Sequence, residues 1–265
     1  MIVQKTPVQI EQMAAAGRIL ARCLQLVRAK AREGVTTREL DKVAERYIQA
    51  QGGQPAFKGY RGFPGSICAS PNSMIVHGIP GGYRLERGDI LAIDVGVELD
   101  GWVADAAVTV AVGQVSPVAR RLLDTTSAAL FDAVEQCRLG NRLGDVSRAV
   151  QRRVEDDGMA VVRSLVGHGI GRSMHEDPQV PNFGAPGTGP ELTEGTVLAV
   201  EPMVTAGGPA IRMGSDGWSV YSQDGSLAAH FEHTIAVTAD GPRILTPWHL
   251  DEESWARPEP RAETA

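Results

Sequence analysis

Cysteine is scarce: Cys23, Cys68 and Cys137 are the only three, and no two stand at zinc-ligand spacing. An odd count without paired spacing argues against a disulfide framework and points to a reducing, cytoplasmic setting. Long apolar runs are missing too, so no helical membrane span is expected. The amino terminus, MIVQKTPVQI, lacks a basic start followed by an apolar run, and no signal peptide is read there. Basic charge is not in excess. Lys and Arg number 26 against 32 Asp and Glu, a formal net charge of −6, which gives no electrostatic footprint for nucleic acid.

What remains is ordinary for a soluble enzyme: 265 residues, 43% hydrophobic and 22% charged, a length that suits one large domain or two small ones. Over residues 8–31, Ile10, Met13, Gly17, Leu20, Leu24 and Val27 recur at three- and four-residue steps, the pattern of an amphipathic helix. Thr36 with Glu39 forms a capping-box signature for a second helix, with Leu40, Val43, Ala44 and Tyr47 as its buried stripe and Gly52-Gly53 at its end. SICAS (66–70) and MIV (74–76) read as short strands. ILAIDVGVEL (90–99) and WVADAAVTVAV (102–112) flank Asp100-Gly101, a strong hairpin signal. Two further helices follow. The first starts at Ser116-Pro117, with a stripe from Leu122 to Cys137; the second buries Leu143, Val146, Val150 and Val154 and ends at Gly158. Runs 161–167, 196–204 and 230–238 read as strands, and the Gly- and Pro-dense stretch after residue 167 as mostly loop. The succession helix, helix, strands occurs twice, with a His-Gly pair in each half (His77-Gly78 and His168-Gly169), a faint sign of internal duplication. The expected organisation is a catalytic domain over 1–248 and a polar tail over 249–265.

The chemistry is carried by carboxylates. Asp94 and Asp105 interrupt apolar strand patterns, where Asp is disfavoured. A two-residue turn at Asp100-Gly101 sets Asp94 opposite Ala107 and Asp105 opposite Gly96, so the two Asp side chains share a face as diagonal neighbours about 7–8 Å apart at Cα. Carboxylates leaning together repel unless a proton or a cation intervenes. Either each Asp pairs with an arginine or turn, or a metal ion lies between them. Glu201 ends an apolar run before Pro202, and Glu232 lies on the polar face of its strand with His230 and Thr234. Each Glu taken singly also fits a solvated surface. His168 sits between glycines in GHGIG, with His175 seven residues on. His233 falls on the opposite strand face from Glu232 and is left out. An oxygen-rich set of four carboxylates and one imidazole suits manganese, iron(II), cobalt or magnesium better than a thiolate-type zinc site.

The ordered set Asp94, Asp105, His168, Glu201 and Glu232, with HGIP (77–80), IDVG (93–96), GHGIG (167–171), MHEDPQV (174–180) and EHT (232–234), resembles the methionine aminopeptidases of the bacterial, type I kind. The resemblance runs from the first helix to about residue 247. It implies an α+β pita-bread fold: a curved, mostly antiparallel sheet backed by two helix pairs with pseudo-twofold symmetry. It implies two divalent ions (Co, Mn, Fe(II) or Zn), one held by Asp94, both bridged by Asp105 and Glu232, with His168 and Glu201 completing the other shell. It makes His77, His175 and Glu201 the catalytic residues and gives Tyr60, Phe63, Cys68, Met174 and Trp218 as counterparts of the methionine pocket, with Met174 standing where Phe is expected. The implied activity is removal of the initiator methionine before a small second residue. Implied partners are peptide and nascent-chain N-termini, with the ribosome a further candidate, and the implied state is a monomer. Two alternatives stand beside it: a proline-directed (Xaa-Pro) peptidase on the same fold, and a binding module that has lost catalysis. A type II enzyme is disfavoured because the stretch between Glu201 and Glu232 carries no long helical pattern.

Overall fold

The computed structural model describes residues 1–250; of the polar tail read over 249–265, residues 251–265 lie outside the described part. Helix α1 (Pro7–Lys30) starts where Thr6 and Gln9 close a capping box and Pro7 occupies the first turn. The stripe Ile10, Met13, Gly17, Leu20, Leu24 and Val27 is buried, as its spacing predicts. Helix α2 (Thr37–Ala50) starts at the Thr36–Glu39 capping box and packs on α1.

Short β1 (Gln54–Pro55) and a 3₁₀ turn (Tyr60–Gly62) lead into β2 (Cys68–Pro71) and β3 (Met74–Val76). Then β4 (Ile90–Leu99) and β5 (Trp102–Ala111) form a hairpin paired over its whole length without a bulge. Asp100 (φ 52°) and Gly101 (φ 74°) both have positive φ, the type I′ arrangement whose twist matches the strands. Asp94 faces Ala107 and Asp105 faces Gly96, the register expected from the sequence. The other edge of β4 carries β2 and β1. Helices α3 (Pro117–Val134) and α4 (Leu143–Asp156) make the second helix pair.

The later strands are β6 (Ala160–Val161), β7 (Val166–Gly169), β8 (Glu176–Pro181), β9 (Val197–Val200), β10 (Met203–Thr205), β11 (Ile211–Met213), β12 (Val220–Ser222), β13 (Ala228–His230), β14 (His233–Thr238) and β15 (Gly241–Ile244). They pair as β15-β14-β9-β7-β8, β13-β10-β6 and β11-β12-β3. Every pairing among the described residues is antiparallel.

The stretch 167–190 is mostly loop, as expected, but it carries two strand pieces that the sequence reading did not resolve: His168 lies on β7, and Glu176–Pro181 is a strand. Its glycines serve close strand approach. A Cβ on Gly167 would stand 2.4 Å from the Ala199 carbonyl oxygen, and one on Gly169 2.1 Å from that of Asp177. Runs 161–167, 196–204 and 230–238 are each two shorter strands, because the chain changes sheet within them. One break falls at Glu201-Pro202, where proline has no N–H to continue a ladder, and another at Phe231-Glu232.

The seating of α1 supplies a test. A Cβ at Gly17 would lie 1.9 Å from the Leu245 carbonyl oxygen. Gly17→Ala is therefore expected to destabilise the protein by about 1–3 kcal/mol, read as a lower urea midpoint. An unchanged midpoint would show that α1 does not rest on this segment.

Candidate active site

Hydrogen bonds through backbone groups and two threonine hydroxyls tie the Glu232 break to the hairpin. Thr109 Oγ1 donates to the His230 carbonyl and accepts from the His230 N–H, both at 2.8 Å. The Glu232 N–H donates to the Ala107 carbonyl at 2.9 Å. Thr234 Oγ1 donates to the Asp105 carbonyl at 2.7 Å and accepts from its N–H at 3.0 Å. These contacts follow alternate residues of both segments, so β5 and the 230–234 segment run against each other and Glu232 is delivered beside Asp105. His168 stands on β7 opposite Ala199 of β9, two residues before Glu201.

Asp94, Asp105, His168, Glu201 and Glu232 thus converge from three strands and two strand breaks. Asp105, His168 and Glu232 each place a donor atom within 4.8 Å of the others, and all three are buried. His168 Nε2 is 3.6 Å from Glu201 Oε1. His168 Nδ1 donates to the Gly169 carbonyl at 2.9 Å, since a carbonyl only accepts, which leaves the Nε2 lone pair free to ligate. Burial, with His175 beside it, pushes the His168 pKa down to about 4 and keeps the ring neutral.

The carboxylates are strained in the opposite sense. Burial and the Glu201 charge push Asp94 up to about 8. Burial raises Asp105 well above the usual range, helped by Asp94. Burial likewise raises Glu201, with Asp105 adding to it, and Glu232, where Asp105, Glu201 and Asp94 all contribute. No lysine or arginine pairs with any of the four among the described residues. The arginine-paired alternative therefore fails. Asp94 Oδ1, Asp105 Oδ1 and Glu232 Oε1 are buried without a hydrogen-bond partner. Partnerless buried oxygens in a cluster that repels itself match the donor set of a divalent cation.

Around this cradle stand the other residues expected from the sequence. His77, at the mouth, holds a left-handed backbone (φ 59°), rare for a residue with a side chain. The protein packed around its ring and the neighbouring His175 both push its pKa down. His175 is at the surface, 4.3 Å from the His168 ring centroid, and Tyr60 Oη hydrogen-bonds its Nδ1 at 2.8 Å. Phe63, Cys68 and Met174 share one buried cluster with Tyr60 and Trp218 against it, and Phe63 meets Trp218 edge-on at 5.1 Å between centroids. Cys68 pairs with Asp94 across β2 and β4. Burial first, then Asp94, Asp105 and Glu232, raise its thiol well above the ordinary value, so it stays protonated and serves as packing.

One cradle residue was missed from the sequence. His230 Nε2 lies 3.6 Å from Glu201 Oε2 and 3.8 Å from Glu232 Oε2. Its signal was its strand parity with Glu232. His233 is buried elsewhere, with Nδ1 3.1 Å from Thr246 Oγ1 and its ring stacked on Trp248.

The profile of metallopeptidase family M24 matches residues 11–239. A methionine aminopeptidase of Clostridium perfringens is 49% identical over 246 residues, 93% of this chain and 99% of its own length. Methionine aminopeptidase 1 of Bacillus subtilis is 47% identical over the same shares. The crystal structure of a methionine aminopeptidase from Thermotoga maritima superposes with a TM-score of 0.92 at 43% identity, over 93% of this chain and 99% of that one. A prolidase from Pyrococcus furiosus shares the fold, with a TM-score of 0.76 at 23% identity over 92% of this chain and 65% of that one. With its pita-bread fold and an oxygen-rich cradle suited to divalent metal, the chain belongs to metallopeptidase family M24, among the methionine aminopeptidases.

Proposed function

We propose that the protein removes the N-terminal methionine from peptides and nascent chains, using two divalent ions, with a small second residue preferred. The observation that carries this reading is the buried cradle of four carboxylates and His168, with no protein cation among the described residues, beside an apolar cluster containing Phe63, Cys68 and Met174. In this reading Asp94, Asp105, His168, Glu201 and Glu232 would hold the ions. The ions are cobalt, manganese, iron(II) or zinc. Bound there, they supply Lewis acidity and a hydroxide at neutral pH.

The protein's own groups do the rest. Glu201 moves the proton of the attacking water toward the leaving amine. With Tyr60 Oη donating to Nδ1, the neutral His175 ring carries its proton on Nε2, the tautomer that donates to an oxyanion. His77 holds the backbone of the second residue. Tyr60, Phe63, Cys68, Met174 and Trp218 receive the methionine side chain; a thioether packs well against sulfur and aromatic edges. The catalytic unit in this proposal is one domain over 1–248, acting as a cytoplasmic monomer with the ribosome as a candidate partner. No described helix is long and apolar enough to cross a membrane. Prolidase-like activity rests on the fold alone, and a fold does not fix an activity.

Two measurements test this. His168→Ala or Asp105→Ala should lower kcat/KM on a Met-Ala-Ser peptide at least about 100-fold and reduce bound metal; His175→Ala should lower kcat by about 100-fold with metal content unchanged. Retained hydrolysis in the His168 or Asp105 variant at full metal content defeats the ligand assignment.

The second is the pH profile of the metal-free protein. The four carboxyl groups have folded pKa values above their unfolded ones, Asp94 at about 8. Such groups favour the fold while protonated, so stability is full below about pH 4 and falls as pH rises toward 8. Calorimetry in chelator should show Tm dropping by more than about 3 °C between about pH 5 and pH 8, with saturating Mn²⁺ abolishing the drop. A flat or rising profile in chelator contradicts the mutual burial of these groups.

A further inference from the structure

His230 is the cradle side chain to which the ligand assignment gives no part. It ends β13, immediately before the break at Phe231-Glu232. Its ring is buried, 2% exposed, and neither nitrogen has a hydrogen-bond partner. The other two buried imidazoles nearby are anchored at Nδ1, His168 by the Gly169 carbonyl and His233 by Thr246. His230 is held instead through its backbone, whose N–H and carbonyl both bond Thr109 Oγ1. The backbone is pinned and the ring is left facing two carboxylates.

The two oxygens of Glu201 are divided between two imidazoles. Oε1 faces His168 Nε2 and Oε2 faces His230 Nε2, each at 3.6 Å. Glu232 Oε2 stands 3.8 Å from the same His230 nitrogen. His230 does not belong to the group of donor atoms that converge within 4.8 Å, Asp105, His168 and Glu232. A nitrogen lone pair aimed at two carboxylates is repelled, while an N–H aimed at them makes charge-assisted hydrogen bonds. At 3.6 Å the contact is just longer than a hydrogen bond, and a small rotation of the Glu201 carboxylate closes it. A carboxylate that ligates through one oxygen keeps its aim when the other accepts such a donor.

We propose that His230 is a positioning residue of the metal centre, its Nε2–H holding Glu201 Oε2, with Glu232 as the alternate acceptor, so that Glu201 Oε1 and Glu232 present ligating oxygens to the ion. The inference rests on the metal reading given above and adds a residue to it. It makes the nitrogen's donor character, and not its capacity to ligate, the property that matters.

The test uses the full chain stripped with chelator and titrated with Mn²⁺ by calorimetry, alongside the Tm with and without Mn²⁺. His230→Leu removes the donor and should raise the Mn²⁺ Kd about 10–100-fold and shrink the Mn²⁺-induced Tm gain. His230→Gln keeps a neutral N–H donor and should stay within about threefold of the unaltered chain. If the Leu variant does not fold, His230→Ala takes its place with the same expectation. Two results overturn the inference: a Leu or Ala variant that binds Mn²⁺ as tightly as the unaltered chain, or a Gln variant as weak as the Leu variant while keeping its metal-free Tm, which would make the imidazole itself a ligand. Failure of the unaltered chain to bind Mn²⁺ defeats the metal reading itself and with it this inference, an outcome distinct from the other two.

Discussion

Four carboxylates buried in one cradle repel each other, and among the described residues no lysine or arginine offsets them. Left charged and unpaired, such a group would be among the costliest arrangements a fold can hold. The molecule is built so that none of the four can leave. Two are fixed by a hairpin ten residues deep on each strand, with α1 packed across it. The other two sit where strands change sheets, and Thr109 and Thr234 bind the second of those breaks to β5 by reciprocal hydrogen bonds. Rigidity is what turns repulsion into affinity: a cradle free to splay would relieve its own charge and lose its hold on a divalent ion.

How much of this the sequence announced follows from which interactions were local. The hairpin was legible because Asp100-Gly101 fixes its own turn type, and the turn fixes the register that puts Asp94 and Asp105 on one face. The helices were legible because capping boxes and apolar stripes lie within single segments. Strand β7 was not, since its identity is conferred by β8 and β9, and its glycines look like loop residues until the carbonyls of Ala199 and Asp177 are seen pressed against them. Pro202 signalled that the run ends at Glu201, but that the chain enters a different sheet there and at Phe231-Glu232 is decided by distant partners. His230 escaped because its meaning depends on two carboxylates, one of them 29 residues away in sequence. Convergence of the five-residue set was reached through resemblance, and the geometry then supplied a physical reason for it.

The electrostatics of the cradle reach into the neighbouring apolar cluster. Cys68 opposes Asp94 on adjacent strands, and burial with three nearby carboxylates keeps its thiol protonated. A thiolate there would add a fifth negative charge and a competing soft ligand; the neutral thiol is instead a small polarisable wall. Met174 fills its place by leaning over Gly96, where an added Cβ would come within 2.8 Å of both Met174 Cε and Phe57 Cε1. The absence of a side chain at Gly96, directly opposite Asp105, thus lets a flexible thioether lie against the hairpin close to its buried carboxylates.

That division of labour bears on specificity. The prolidase from Pyrococcus furiosus shares this fold at 23% identity, so the architecture by itself does not select a side chain. In the proposed reading selection would come from the residues around the cradle: the 3₁₀ turn with Tyr60, the segment carrying Phe63, the loop bearing Met174 and His175, and Trp218 after β11. Two of these, the Tyr60 turn and the Met174–His175 loop, meet at His175, whose ring touches Tyr60 on one side and His168 on the other. In the proposed reading, recognition of the substrate and orientation of the groups around the metal would therefore share one side chain. A change in the pocket that moves Tyr60 also moves the imidazole beside His168, and binding and turnover would then change together.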